Sequence, residues 1–317
     1  MDHSVQSLLI GLDVGGSSTE LLAVEHHPQR SPVRLVGPGA NLQRVGFEQT
    51  VAVLQEVIER ALRHFPEASV LSVCAGIAGC GRPKDQELLA RRLQQVLGDG
   101  GRSVQVRVVH DAEIALEAAF KGDSGVVVVA GTGSVILART RQGQIEVVGG
   151  WGYLLGDEGS GFAIARAGLQ AVTHAMDGGP PTRLRELLAE RFLLSERDAL
   201  IHRVYQEHWP LQEFAPVVLE AARDGDPIAQ QIVEDQVARL VEQVSWLLGR
   251  LKGEVAPRMA LAGGLMNEPF YVSCLREQLV RRWPGWSIEV QQQRPVEGAL
   301  RLARRLLKAN VGSECDD

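Results

Sequence analysis

LLIGLDVGGSSTELLAV, residues 8–24, is an apolar strand, a glycine-rich turn and a second apolar strand, and GVVVVAGTGSVILART, residues 125–140, repeats that arrangement. Each pair is followed by a third short strand, near Val33–Val36 and near Ile145–Val148. Beyond the first trio, Val51, Leu54, Val57, Ile58, Ala61 and Leu62 recur at helical spacing in a run from Phe47 to Phe65. Strand Val70–Cys74, helix Lys84–Leu97, strand Val104–Val109 and helix Ala112–Phe120 complete the first half. The second half continues with a helix from about Ser160, a mostly helical stretch to Leu251, strand Met259–Ala262, helix Pro269–Trp283, strand Ile288–Val290 and a last helix from Pro295. Both halves read βββαβαβα, with extra helices in the second. Hairpins that lead into strand–helix–strand crossovers predict an α/β chain of two domains, each a mixed sheet covered by helices, flanking a cleft. Residues 177–230 are polar and turn-rich and read as inserted helices and loops; Asp224-Gly225-Asp226-Pro227 reads as a helix stop followed by a helix start.

Composition narrows the function. Glycine is the outlier, 34 in 317 residues, or about 11% against a usual ~7%. A net charge of -6, from 33 Lys+Arg against 39 Asp+Glu, argues against a nucleic-acid binder, which carries a basic patch. No stretch approaches the ~18 apolar residues of a membrane span. The opening MDHSVQS lacks the basic and apolar regions of a signal peptide. Cys74, Cys80, Cys274 and Cys315 show no Cys-x-x-Cys spacing. The expectation is a reduced cytoplasmic protein with neither nucleic-acid nor membrane partner.

Five motifs could carry chemistry. Gly15-Gly16-Ser17-Ser18-Thr19, between two strands, can aim backbone N–H and hydroxyl groups at a phosphate, or can be an ordinary hairpin. Asp13 at the end of the preceding strand is placed to hold a hydrated Mg²⁺. Gly131-Thr132-Gly133-Ser134 is the equivalent turn of the second half, and two such turns favour a polyphosphate. Asp111, after a strand, reads either as a helix cap or as a carboxylate that accepts a proton from a hydroxyl, two roles that can coexist; His110 reads as a supporting residue. GGWGYLLGDEGSG, residues 149–161, joins six glycines to Trp151, Tyr153, Asp157 and Glu158, the stacking faces and acceptors that a sugar site needs. Gly263-Gly264, after a strand, is a tight turn or a place where an adenine ring lies close to the backbone; Asn41 is an exposed turn residue or a substrate contact.

Together GLDVGGSST, the GPGAN loop, HDAEIAL, AGTGS, GGWGYLLGDEGSG, LAGGL and RPVEGAL make nearly the whole chain resemble the BadF/BadG/BcrA/BcrD-type ATPases and their N-acetylglucosamine kinase branch, within the actin/hexokinase/Hsp70 superfamily. The resemblance implies two actin-like, ribonuclease H-like domains: residues 1–114 with 296–317, whose last helix returns to the first domain, and residues 115–295 with a helical insertion at about 177–255. It implies ATP and Mg²⁺ as cofactors, with Gly15, Gly16, Ser17, Ser18 and Thr19 and Gly131, Thr132, Gly133 and Ser134 as phosphate loops and Gly263 and Gly264 near the adenosine. Asp13 would serve the metal. Asp111 would be the catalytic base and touch the sugar, and Asn41, Trp151, Gly152, Asp157 and Glu158 would help to bind an amino sugar. A homodimer is implied as well. The segment Cys74-Ala75-Gly76-Ile77-Ala78-Gly79 lacks the serine that mammalian members carry near this point, which leaves the N-acetyl preference open.

The resulting expectation is ATP-dependent phosphorylation of an amino sugar, N-acetylglucosamine to its 6-phosphate. Two rivals stand beside it. A reductive-activator ATPase would need cysteines arranged for an iron–sulfur cluster. A non-catalytic sugar sensor would carry a DNA-binding helix-turn-helix, for which the residues before Leu8 leave no room.

Overall fold

The computed structural model describes residues 7–27, 30–98 and 104–311, so that Cys315 and the end of the expected first domain lie outside it. The chain forms two units, Met1–Asp123 with Gln291–Asp317, and Ser124–Val290.

In unit 1, strands β1 (Ser7–Val14), β2 (Ser18–Glu25), β3 (Val33–Pro38), β4 (Ser69–Ile77) and β5 (Gln105–His110) form one sheet in the order β3-β2-β1-β4-β5. The hairpin partners are antiparallel, whereas β1, β4 and β5 run parallel. Between them lie α1 (Leu42–Val45), α2 (Phe47–Leu62), α3 (Pro83–Leu97) and α4 (Asp111–Phe120), and α11 (Pro295–Val311) closes the chain. β4 runs three residues beyond its expected end, through Cys74-Ala75-Gly76-Ile77, because the backbone first turns at Gly79, where φ is +77°.

Side chains alternate across a strand, and β1 uses both faces. Leu8, Ile10, Leu12 and Val14 enter one core with Val51, Leu54, Val57 and Ile58 of α2 and Leu89 and Leu93 of α3. Leu9, Gly11 and Asp13 face the other way, where Leu9 packs with Val296 and Leu300 of α11. At Gly11 there is no room for a side chain, since a Cβ would stand 2.5 Å from the Leu300 backbone nitrogen. At Gly298 a Cβ would overlap the Ile114 carbonyl oxygen of α4. Helix α11 therefore touches strand and helix backbone directly, aided by Ser72 Oγ donating to the Ala303 carbonyl at 2.9 Å. Arg305 Nη2 lies 2.8 Å from the fully buried carboxylate of Glu117. These contacts keep α4 whole in unit 1; a boundary at 114/115 would cut through it.

Unit 2 repeats the sheet. Strands β6 (Gly125–Ala130), β7 (Ser134–Arg139), β8 (Ile145–Gly149), β9 (Arg258–Ala262) and β10 (Ser287–Val290) lie in the order β10-β9-β6-β7-β8. The order matches unit 1 strand for strand. Helices α5 (Gly161–Met176), α6 (Arg183–Phe192), α7 (Arg197–Tyr205), α8 (Ala215–Arg223), α9 (Pro227–Leu251) and α10 (Pro269–Arg282) cover it. Helices α6–α8 share the sheet's core, Leu184, Leu188 and Val218 joining Val126 and Val128. The stop–start at 224–227 is realised by Asp226, which accepts from Ala229 N of α9 at 2.8 Å and from Arg183 N of α6 at 2.8 Å. No helix among the described residues is long and apolar enough to cross a membrane.

The backbone contact at Gly298 yields a direct test. Gly298→Ala should lower stability by about 3 kcal/mol in urea denaturation, because neither the Ile114 carbonyl nor the helix can move aside cheaply. A loss of a few tenths would contradict the packing.

Candidate functional site

In unit 1 the chemistry-bearing residues gather at the carboxyl ends of the parallel strands, where open α/β sheets bind ligands. Asp13 is the last but one residue of β1, and Asp111 follows β5 directly. The β1–β2 turn is closed by Gly15 N donating to the Ser18 carbonyl at 2.9 Å. Backbone bonds then join neighbouring loops to it: Ala40 N to Gly15 O at 3.0 Å, Ala78 N to Val14 O at 2.8 Å and Leu42 N to Ala78 O at 3.0 Å. Ser17 and Ser18 are exposed, as a phosphate contact requires. Thr19 is fully buried and its hydroxyl donates to the Pro38 carbonyl at 2.6 Å, so Thr19 shapes the turn from beneath.

Asp13 pairs across the hairpin with Glu20, and both side chains lie on the face that α4 and α11 cover. Burial, and then the charges of Asp111 and Glu20, push the Asp13 carboxyl up to about 7. Glu20 is itself held by Arg34 and by Arg294, the latter at 2.9 Å. Such a concentration of negative charge favours a cation. Among the described residues no three His, Cys, Asp or Glu side chains converge on a metal position. One carboxylate completed by water and phosphate oxygens is the coordination that Mg²⁺ takes at nucleotide sites.

Asp111 both caps its helix and keeps an open oxygen. Its Oδ1 accepts from Ala112 N at 2.8 Å and lies 2.8 Å from His110 Nδ1. Nδ1 also lies 3.1 Å from Ala112 N, but it cannot accept there while donating to Asp111; the shorter contact favours Nδ1–H as the donor to Asp111. Burial alone would lower the His110 pKa, and the charge and hydrogen bond of Asp111 outweigh it, so the net shift is upward. Asp111 Oδ2 has no protein hydrogen bond among the described residues. Asn41, read as an exposed turn residue or a substrate contact, is half-buried; its Oδ1 caps α1 by accepting from Gln43 N at 3.0 Å, which leaves its amide donors.

Unit 2 brings together the second glycine turn, the 149–161 loop and Gly263-Gly264. Gly131 N donates to Gly133 O at 2.9 Å, and the turn's carbonyls receive the first N–H groups of α5, Gly161 N to Gly131 O at 2.8 Å and Phe162 N to Thr132 O at 3.1 Å. Gly263, with φ +99°, lies so close to Ala130 that a Cβ would overlap its carbonyl oxygen. Gly263 and Gly264 are themselves exposed, which leaves flat backbone open to a ring. Asp157 is buried, in the left-handed region at φ +64°, and accepts from Ser134 N at 3.3 Å. Burial raises its carboxyl against the lowering effect of that bond, and Glu158 adds to the rise. Ser134 is also buried and its hydroxyl donates to Glu158 O at 2.8 Å, so it braces the turn instead of facing a phosphate. Asp157 thus lies against the glycine turn, its Oδ2 2.9 Å from where a Gly133 Cβ would stand. Trp151, 75% exposed, and the exposed Tyr153, Leu154 and Leu155 form an apolar tip, with Gly152 in the bend before Gly156.

Sequence reading missed the residues behind this loop. Gln236 Oε1 accepts from Gly159 N at 3.1 Å, Gln243 Nε2 donates to Glu158 Oε2 at 2.6 Å, and Tyr271 Oη donates to Gly159 O at 2.7 Å. A signal was present: Gln236 and Gln243 stand seven apart on the apolar stripe Val233, Val237, Leu240, Val244 and Leu247. In unit 1, Glu20 was missed because its role comes from strand register.

Comparison with known proteins then gives concordant findings. The model of the BadF/BadG/BcrA/BcrD ATPase family matches residues 10–303. The chain is 30% identical to the N-acetyl-D-glucosamine kinase of Dictyostelium discoideum, over 94% of this chain and 98% of that one. It is 28% identical to the N-acetylmuramic acid/N-acetylglucosamine kinase of Clostridium acetobutylicum, over 97% and 99%. In fold it is similar to a Chromobacterium violaceum protein provisionally named as an N-acetylglucosamine kinase, with a TM-score of 0.75 at 23% identity over 93% and 98% of the two chains.

The raised Asp13 pKa makes stability depend on pH. Folding penalises the ionised form, so stability present at low pH is lost as pH rises from about 4 to about 7. In EDTA, Asp13→Asn should therefore gain on the wild type in thermal midpoint across that window and keep a constant lead above it; a lead independent of pH would contradict the burial of this charge.

Proposed function

The chain belongs to the BadF/BadG/BcrA/BcrD ATPase family and is a sugar kinase, and from that premise we propose that it transfers the γ-phosphoryl group of ATP to the 6-hydroxyl of N-acetylglucosamine. The observation that carries this reading is the end-to-end likeness to the Dictyostelium discoideum kinase, in a chain whose Asp13 and Asp111 stand at the carboxyl ends of β1 and β5, parallel strands of one sheet with β4 between them.

Asp111 Oδ2 takes the proton of the sugar hydroxyl as that oxygen attacks the γ-phosphorus and the bond to the ADP oxygen breaks. His110 and Ala112 N hold Oδ1 and so fix the direction in which Oδ2 points. Positioning of this kind is the main resource of phosphoryl-transfer enzymes. Asp13 is the residue that would hold Mg²⁺; when bound, that ion supplies charge neutralisation at the phosphoryl oxygens. The backbone N–H groups and open hydroxyls of Gly16, Ser17 and Ser18, and of Thr132 and Gly133, are the phosphate contacts, with Gly15 N and Gly131 N closing the two turns and Thr19 and Ser134 bracing them. Gly263 and Gly264 offer the adenosine surface. Asn41, Trp151, Gly152, Asp157 and Glu158 are assigned to the sugar.

A cytoplasmic homodimer using Mg-ATP completes the proposal. Support for a reducing compartment comes from Cys74 and Cys80, buried thiols pushed up to about 12, and from Cys274, which is also free. Such thiols are ill suited to a cluster, and the kinase names of the relatives leave the reductive-activator reading without support. The sensor reading fares no better beside relatives that are enzymes.

In an ADP-release assay with Mg-ATP and N-acetylglucosamine, Asp111→Asn should lower kcat at least about 100-fold. The asparagine can still accept from Ala112 N, so ATP affinity should stay within about threefold. Near-normal sugar phosphorylation by the variant would overturn the role. The same assay run with glucosamine, N-acetylmuramate and glucose ranks the acceptors, and N-acetylglucosamine should lead.

A further inference from the structure

We propose that Gln243, on helix α9, is a positioning residue for sugar recognition: it orients the Glu158 carboxylate so that one oxygen is free to accept a sugar hydroxyl. The proposal rests on the reading that Glu158 contacts the sugar.

Gln243 is 4% exposed on a helix face that, Gln236 apart, is aliphatic, a costly place for a carboxamide unless it is hydrogen-bonded. Its Nε2 donates to Glu158 Oε2 at 2.6 Å, a short bond to a charged acceptor. Only the NH₂ end of a carboxamide can face a carboxylate, which fixes the side chain's orientation. Oε1 then points at Gly149, where a Cβ would stand 2.8 Å away, and no donor among the described residues reaches it. Rotating the amide would set oxygen against oxygen, so the contact has one stable arrangement.

The remaining contacts of this segment hold main chain, apart from Ser134 N, which donates to Asp157 Oδ1 at 3.3 Å. Gln236 and Tyr271 grip both polar groups of the Gly159 backbone, and Ser134 Oγ binds the Glu158 carbonyl. Gln243 is the one among them that engages the Glu158 carboxylate. Glu158 is half-buried, and with Oε2 engaged by Gln243 its other oxygen, Oε1, has no protein donor among the described residues. The expectation is a division of labour: Gln236 and Tyr271 set where the loop lies, and Gln243 sets how the Glu158 carboxylate points.

The test uses the full chain with Mg-ATP and N-acetylglucosamine as the varied substrate. Gln243→Met nearly keeps the volume and removes the donor. It should raise the KM for the sugar about tenfold, with the KM for ATP within about twofold and the thermal midpoint unchanged. Glu158→Gln should raise the sugar KM as well, and the double variant should be no worse than Glu158→Gln alone, because the contact is already lost. Gln243→Asn, too short to reach, should behave as Gln243→Met does and serves if the latter folds poorly. A Glu158→Gln effect without a Gln243 effect overturns the positioning role. Multiplying effects in the double variant, or equal rises in both KM values with a lowered midpoint, overturn it too. If Glu158→Gln leaves the sugar KM unchanged, the failed premise is the sugar contact of Glu158, and the proposal falls with it.

Discussion

Helix α11 lies on strand β1 and on helix α4 with no side chain in between, at Gly11 and at Gly298. The rest of unit 1 depends on that contact. It brings a helix from the far end of the chain against the central strand, and it sets the height of α4 over the sheet. Asp13 sits two residues beyond Gly11 on the same face, and Asp111 is the first residue of α4. The mutual position of the two carboxylates is therefore a consequence of backbone packing, which holds its distances more tightly than long side chains would.

The two units treat their carboxylates differently. In unit 1, Asp13 is half-buried near Asp111 and Glu20, and desolvation together with these two charges pushes its carboxyl up. Arg34 and Arg294 attend to Glu20 and not to Asp13. In unit 2, Asp157 receives a backbone N–H from Ser134, and Glu158 receives an amide from Gln243. The first arrangement leaves charge for a ligand to balance, and the second uses charge to fasten a loop.

Much of the fold was legible because the strands are short, apolar and bounded by glycine. The duplicated hairpin could be read from residues 8–24 and 125–140, and the helix starts at Asp226-Pro227 and Ser160 follow ordinary capping rules. Strand β4 runs past its expected end at Cys74, and the missing Cβ of Gly76 within that extension admits Ile114. Within the candidate site, residues with local signatures were found, Asp13, Asp111 and the glycine turns among them. Glu20, Gln236, Gln243 and Tyr271 were not, since each acts through a partner remote in sequence or across a strand pair.

The sequence by itself determined the strand–turn–strand units, their repetition, the acidic residues at strand ends and the glycine-rich loop, because these follow from local periodicity and backbone freedom. Only the tertiary structure decided which hydroxyls face outward. Ser17 and Ser18 remain open, whereas Thr19 and Ser134 turn inward to bond Pro38 and Glu158. It also decided that Asp157 leans on the turn at Gly133. The physical reason is common to these cases: a buried polar group must find its hydrogen-bond partner, and that partner is chosen by how strands pair and helices pack.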